Sequence, residues 1–270
     1  MSALPITVSA RTIIEGSFDE TGVADLAAVY DVGLALGVPE QTVRLAIRRM
    51  AAAGELVQEG RGRAGRIIRS SDALRRSRSE SRLIDFAFAQ DAGAHPWDGN
   101  WRLYAFSVPE SARPERDALR AGLTALGAAP IASGLYATPH NLREGLLDYL
   151  PPGVVDRWLI SAATPDLVLP GRHSTTAIVE LLWPAGETLA AYEPLANVLA
   201  GTEIPRASDP VAVTAAALLL AEGLDRALSV DPLLPGEFRP SDWPPATLRA
   251  RFLHSWEQLR ALGPTLPVFA

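Results

Sequence analysis

Residues 33–69 read GLALGVPEQTVRLAIRRMAAAGELVQEGRGRAGRIIR and decide the fold of the N-terminal part of the chain. A helical segment runs up to Gly37-Val38, where glycine permits a sharp reversal. Pro39 then suits the first position of a new helix. On a helical wheel over residues 40–53, Val43, Ala46, Ile47 and Met50 share one face, which predicts packing against the preceding helix. Gln41, Arg44, Arg48 and Arg49 lie on or flank the opposite face, with Thr42 beside them in the first turn. Two β-rich runs, Glu55–Gln58 and Arg66–Arg69, then bracket a glycine-arginine tip at Gly60–Gly65. Leu45 also falls on the outer side of the helix, to meet a thymine methyl or to tuck under this hairpin. Helix, tight turn, arginine-bearing helix and basic hairpin, in that order, are the layout of a winged helix-turn-helix. The partner this predicts is double-stranded DNA.

The chemistry of the outward residues fits that partner. Glutamine can bond adenine, and arginine can bond guanine, through two hydrogen bonds at once. Arg61, Arg63 and Arg66 on the hairpin would reach phosphates or the minor groove. The same tip spells GxGxxG from Gly60 to Gly65. A dinucleotide site needs a helix to come after those glycines, so that its N-terminus meets the pyrophosphate. Arg66–Arg69 is strand-like, and the match is set aside.

Charge supports the division of labour. The chain carries a net charge of −6, yet its 25 basic residues are all arginine, and eleven of them fall between Arg44 and Arg82 against four acids. A basic block in an acidic protein is the asymmetry expected of a DNA-binding head on a separate body. Cysteine is absent, which excludes disulfides, thiolate metal sites and cysteine nucleophiles. No signal-like N-terminus and no apolar run of about 20 residues is found, so a cytoplasmic protein without membrane contact is expected.

Beyond the basic hairpin, Ser70–Ser81 (SSDALRRSRSES) reads as a charged connector, with Ser71/Asp72 able to cap a helix over residues 73–78. Residues 83–174 alternate strand and helix patterns. Strands are expected at Trp101–Val108, Ile131–Ala137 and Val155–Ala162, and helices at Pro114–Leu126 and Asn141–Leu150. This suggests a small antiparallel α+β domain of ferredoxin-like type. Residues 175–270 read as mainly helical, with Asp209 capping a helix over Pro210–Leu228 and a last helix carrying Leu248, Phe252, Trp256 and Leu259 as an apolar stripe. The expected organisation is α+β in three domains: residues 1–82, 83–174 and 175–270.

One block carries a family resemblance. WDGNWRLYAFSVPE at 97–110 is followed by Arg113, Arg116, Leu119, Arg120, Leu123, Leu126 and Gly127, and then by Gly134-Leu135-Tyr136-Ala137-Thr138-Pro139. Together with DPLLPGEFRPSDWP and RARFLHSW near the C-terminus, this pattern resembles the PaaX-like regulators, the phenylacetate-catabolism repressor family. The resemblance implies a homodimeric transcriptional regulator, usually a repressor, with a winged helix, a central domain of the Cas2 nuclease fold and a helical C-terminal domain. It also implies a small-molecule effector, an acyl-CoA such as phenylacetyl-CoA.

The Cas2 link raises the alternative of a metal-dependent nuclease. Such a site needs carboxylates at the end of the first strand. Here that strand ends Phe106-Ser107-Val108, and Glu110 lies beyond Pro109, so no catalytic residue, cofactor or metal ligand is expected. His95, His140, His173 and His254 are scattered without a metal-binding spacing. The aromatic residues Trp97, Trp101, Trp158, Trp183, Tyr192, Trp243 and Trp256 could line an acyl-CoA pocket, but packing is the commoner role for such side chains.

Overall fold

The computed structural model describes residues 6–270, apart from the side chains of residues 72–81. In chain order the elements are α1 (Ala10–Glu15), β1 (Val23–Asp25), α2 (Leu26–Ala35), α3 (Glu40–Ala52), β2 (Leu56–Glu59), β3 (Arg66–Arg69) and α4 (Ser71–Asp91). Then come β4 (Trp101–Phe106), α5 (Arg113–Ala125), β5 (Ala129–Ala132), β6 (Leu135–Thr138), α6 (Arg143–Tyr149), α7 (Val154–Trp158) and β7 (Leu159–Thr164). The remaining helices are α8 (Thr175–Leu182), α9 (Ala185–Ala191), α10 (Glu193–Gly201), α11 (Pro210–Leu228) and α12 (Pro244–Leu262). The fold is mixed α+β, with a helical C-terminal region.

Two compact units are built from discontinuous chain. The first draws on Met1–Ser77, Tyr192–Ala227 and Thr247–Ala270, the second on Arg78–Ala191 and Leu228–Ala246. By contact, residues 175–270 therefore contribute to both units rather than closing on themselves.

In the first unit α1, α2 and α3 pack on one another beside an antiparallel sheet of order β1-β3-β2. Ile13, Ile14, Leu26, Val29, Val43, Ile47, Leu56 and Ile67 are buried there. The helices end in a way their sequence dictates. After α2, Val38 N–H donates to the Gly33 carbonyl at 2.8 Å and Gly37 N–H to that of Leu34 at 3.0 Å. These two bonds close the Schellman motif, which needs a left-handed residue at Gly37, whose φ is +71°. The same pair of bonds closes α3, from Glu55 N–H to Met50 and Gly54 N–H to Ala51, and turns the chain into β2.

The C-terminal segments of this unit are fastened to α1 by one buried acid. Glu222 of α11 accepts from the Ser9 backbone N–H at 3.1 Å, from the Thr12 hydroxyl, and from Arg226 Nε at 2.9 Å. Arg226 also donates to the Thr7 carbonyl at 2.6 Å. Burial pushes the Glu222 carboxyl up, but the bonds from Thr12, Ser9 and Arg226 outweigh that and hold it below the usual range. Asp209 caps α11 through Ala212 N–H at 3.0 Å. On α12, Phe252 and Leu259 are buried. The stripe read from the sequence did not anticipate Arg249, which is fully buried and donates to the Tyr192 hydroxyl.

The second unit contains a four-stranded antiparallel sheet of order β5-β6-β4-β7. With α5 after β4, and α6 and α7 before β7, the connectivity is βαββαβ with the interleaved ferredoxin-like strand order. Tyr104, Phe106, Leu119, Leu123, Tyr136 and Leu146 form its core. A second cluster gathers Trp97, Trp101, Ile178, Val179, Trp183 and Phe238. His140 sits against Phe86, with ring centroids 5.3 Å apart, and its Nε2 lies 2.9 Å from the Leu233 carbonyl. Burial pulls its pKa down to about 4.

Several local readings are corrected. Ile131–Ala137 is not one strand but the hairpin β5-β6, turned at Ser133-Gly134. A Cβ on Gly134 would stand 2.7 Å from the Phe106 carbonyl oxygen, and its φ is +69°. Of Val155–Ala162, the first half is a helical turn, α7, and the strand β7 starts only at Leu159. From Ser71 on, the connector at Ser70–Ser81 lies within the continuous 21-residue helix α4, and its cap at Asp72 falls outside the described side chains. Pro39 precedes α3 as its cap residue rather than occupying its first turn. Strand β1 was not foreseen.

Candidate nucleic-acid interface

Helix α3 has no side-chain cap, a lack worth about 1 kcal/mol. Its inner face supplies more than that. Val43, Ile47 and Met50 are buried, at roughly 1.5–3 kcal/mol each. Packing therefore fixes α3, and its other face is left to solvent. Gln41, Thr42, Arg44, Leu45, Arg48 and Arg49 are all exposed on it. Leu45 is 44% exposed, so of its two expected placements the tuck under the hairpin is not realised.

The hairpin stands beside this face. Strands β2 and β3 pair from Leu56 with Arg69 to Glu59 with Arg66, and the tip between them holds a short 3-10 turn at Gly62–Ala64. Arg61, Arg63 and Arg66 are exposed. A cleft of about 280 Å³ lies between helix and hairpin, lined by Tyr30, Arg44, Ile47, Arg48, Gln58, Arg61 and Gly62. The fold thus brings Arg44 and Arg48 to one cleft with Arg61, while Gln41, Thr42, Arg49, Arg63 and Arg66 are exposed but do not line it.

The arginines are not electrostatically alike. Arg44 Nη2 lies 2.5 Å from Glu40 Oε1, one helical turn back, and its guanidinium carbon is 5.6 Å from the centre of the Tyr30 ring. Arg63 bonds Asp31 of α2 and comes within 4.0 Å of the other Glu40 oxygen. Arg66 pairs with Glu59 across the hairpin at 2.6 Å. Among the described residues, Arg48, Arg49 and Arg61 have no such partner. Sequence reasoning passed over Glu40, Asp31, Tyr30 and Gln58. Only Glu40 left a signal, its four-residue spacing from Arg44.

Among the described residues no group of three or more His, Asp or Glu side chains converges to hold a metal. Glu110, past the end of β4, is engaged by Arg116 at 2.8 Å. Several of the aromatic residues offered for an acyl-CoA are engaged with other rings or with polar partners. Trp101 is 1% exposed and stacks on Trp183 and Phe238. Trp158 donates to Glu115, and Tyr192 is buried on Arg249. No helix among the described residues is long and apolar enough to cross a membrane.

The interleaved sheet of the second unit and the arginine face of the first define a two-part α+β protein with a cationic surface on one part. Comparison sharpens the first of these. Residues 94–159 match the family model described as the PaaX protein central Cas2-like domain, which takes in residues 97–139, the block that carries the PaaX-like resemblance. Among solved structures, the uncharacterized protein Rv0674 from Mycobacterium tuberculosis is similar over 94% of this chain and 98% of that chain, at 23% identity and a TM-score of 0.53. That likeness concerns the fold. No curated relative matches the chain.

Proposed function

We propose that the chain is a DNA-binding transcriptional regulator whose N-terminal segment, 1–82, works as a winged helix-turn-helix. The observation that carries this is the outer face of α3, where exposed arginines border a cleft shared with an arginine-bearing hairpin. The order of elements is that of a recognition helix followed by a wing, and the N-terminal turn of such a helix is the part that meets base edges. A PaaX-type central domain supports a regulatory role and does not favour the nuclease alternative.

The finer reading is a repressor of a catabolic operon, acting in the cytoplasm as a homodimer on an inverted repeat, because two-fold proteins read two-fold sites. The PaaX resemblance supports an acyl-CoA effector such as phenylacetyl-CoA. It would bind one form of the dimer better than the other and so release the operator.

The test is selection of bound duplexes from a randomised library by the purified full-length chain. An inverted-repeat motif, bound far more tightly than random duplex at physiological salt, is expected. Recovery of no motif, with no duplex binding even at low salt, sinks the proposal. Phenylacetyl-CoA and other acyl-CoAs titrated into the complex test the effector separately.

A further inference from the structure

The acids on the DNA-facing surface are the unexplained feature. A surface built only to hold phosphates gains nothing from carboxylates among its arginines, since each one offsets a charge that would otherwise displace counterions. Yet Glu40 occupies the first position of α3, 39% exposed, with one oxygen on Arg44 and the other turned to Arg63. Asp31 holds Arg63 from the next helix. Exposed pairs of this kind are weak by themselves. As stabilising contacts they would be of little consequence. Their place, at the end of α3 that would enter the groove, gives them another use.

Resting on the proposal that α3 is a recognition helix, we infer that Glu40 is a specificity-determining residue that reads a base edge beside Arg44. A carboxylate can only accept hydrogen bonds. In the major groove it fits an amino group, as on cytosine, and it is repelled by guanine N7 and O6 and by thymine O4. Arg44 has the opposite requirement and fits guanine. Glu40 and Arg44, side by side with the Arg44 guanidinium over Tyr30, form a donor–acceptor pair suited to adjacent edges of a G·C-containing step. On unmatched sequence the two acids keep Arg44 and Arg63 engaged within the protein and push phosphates away. Arg49 and Arg61 then make the non-specific contacts. On matched sequence Arg44 exchanges Glu40 for guanine, and Glu40 takes the amino group. Asp31, on α2, is a positioning residue for Arg63 and has no part in the base contact.

The experiment compares full-length wild type with Glu40→Gln and Asp31→Asn, by duplex selection and by affinity for random duplex across salt. Glutamine can both donate and accept, so E40Q should lose discrimination at one position of each half-site. Each variant should also steepen the salt dependence by about one charge, an extra loss of roughly threefold in affinity between about 50 and 200 mM salt. D31N should keep the wild-type motif. An E40Q motif identical to that of wild type overturns the inference, whatever the salt slope does, because Glu40 is then only a surface ion pair. Equal loss of the motif in D31N overturns it too, since charge in general rather than Glu40 would be responsible. Failure of wild type itself to select any motif overturns the underlying DNA-binding reading instead.

Discussion

Arg48 is the residue on which the DNA reading is most simply tried, because it lines the cleft and has no acidic partner among the described residues. Arg48→Ala should weaken binding to the selected duplex by about 1–3 kcal/mol if the contact is a bidentate one to guanine. Its affinity for random duplex should change far less, and fluorescence anisotropy on both duplexes measures the difference. A second residue governs stability. His140 is held neutral by its surroundings, with a folded pKa of about 4 against an ordinary 6.5. The unfolded chain binds the proton first as pH falls, so this contribution is fully present above pH 6.5 and is lost between 6.5 and about 4. The loss amounts to about 3 kcal/mol. Glu15, whose carboxyl burial pushes up, works with the opposite sign. Since it is present in both proteins, comparing melting curves of wild type and His140→Gln across that range isolates the histidine. The variant should lose less stability on acidification than wild type does.

At the scale of elements, the hairpin β2-β3 and helix α3 should separate experimentally. Arg61→Ala should lower the salt slope of binding by about 0.9 while leaving the selected motif intact, because a phosphate contact carries no sequence information. Both elements were legible in the sequence. Val43, Ile47 and Met50 repeat at helical spacing, and Gly37 and Gly54 stand where the left-handed closing residues are needed. What the sequence hid has physical causes. Strand β1 spans three residues, too few for an alternation to show. The β5-β6 hairpin is apolar on both sides of a two-residue turn, so Ile131–Ala137 looks continuous until the close approach of Gly134 to Phe106 is known. Charge in Ser70–Ser81 suggested a connector, although arginine and glutamate are good helix formers and the backbone there is helical. Of the candidate interface, the cations could be read from composition. The acids that organise them could be read only in part: Glu40 stands four residues before Arg44, but Asp31 and Arg63 are brought together only by folding.

For the whole molecule, the main lesson is the distance in sequence between parts of one unit. Three helices that looked like a separate C-terminal domain share a contact unit with the arginine face, joined through Glu222. Replacing Glu222 by alanine would remove the shared acceptor of the Ser9 N–H, the Thr12 hydroxyl and Arg226, at a cost of about 1–2 kcal/mol. A lower melting temperature, read by circular dichroism at neutral pH, is the expected result. Because its carboxyl is held below the ordinary 4.5, the contribution is present above pH 4.5 and disappears as pH falls through the lower folded value. A melting temperature unchanged by Glu222→Ala would mean that the other contacts of α11 suffice without it.

The bond from Ser9 to Glu222 spans 213 positions of chain. On a ribosome, α1 therefore leaves the exit long before the helix that completes its surroundings has been made. Loop closure over that length adds little entropic cost once the chain is whole, since the cost grows only with the logarithm of length. The delay lies in synthesis rather than in thermodynamics. Helix α1 is made early and its surroundings are completed late, so a nascent or truncated chain carries α1 before the helix that holds it exists.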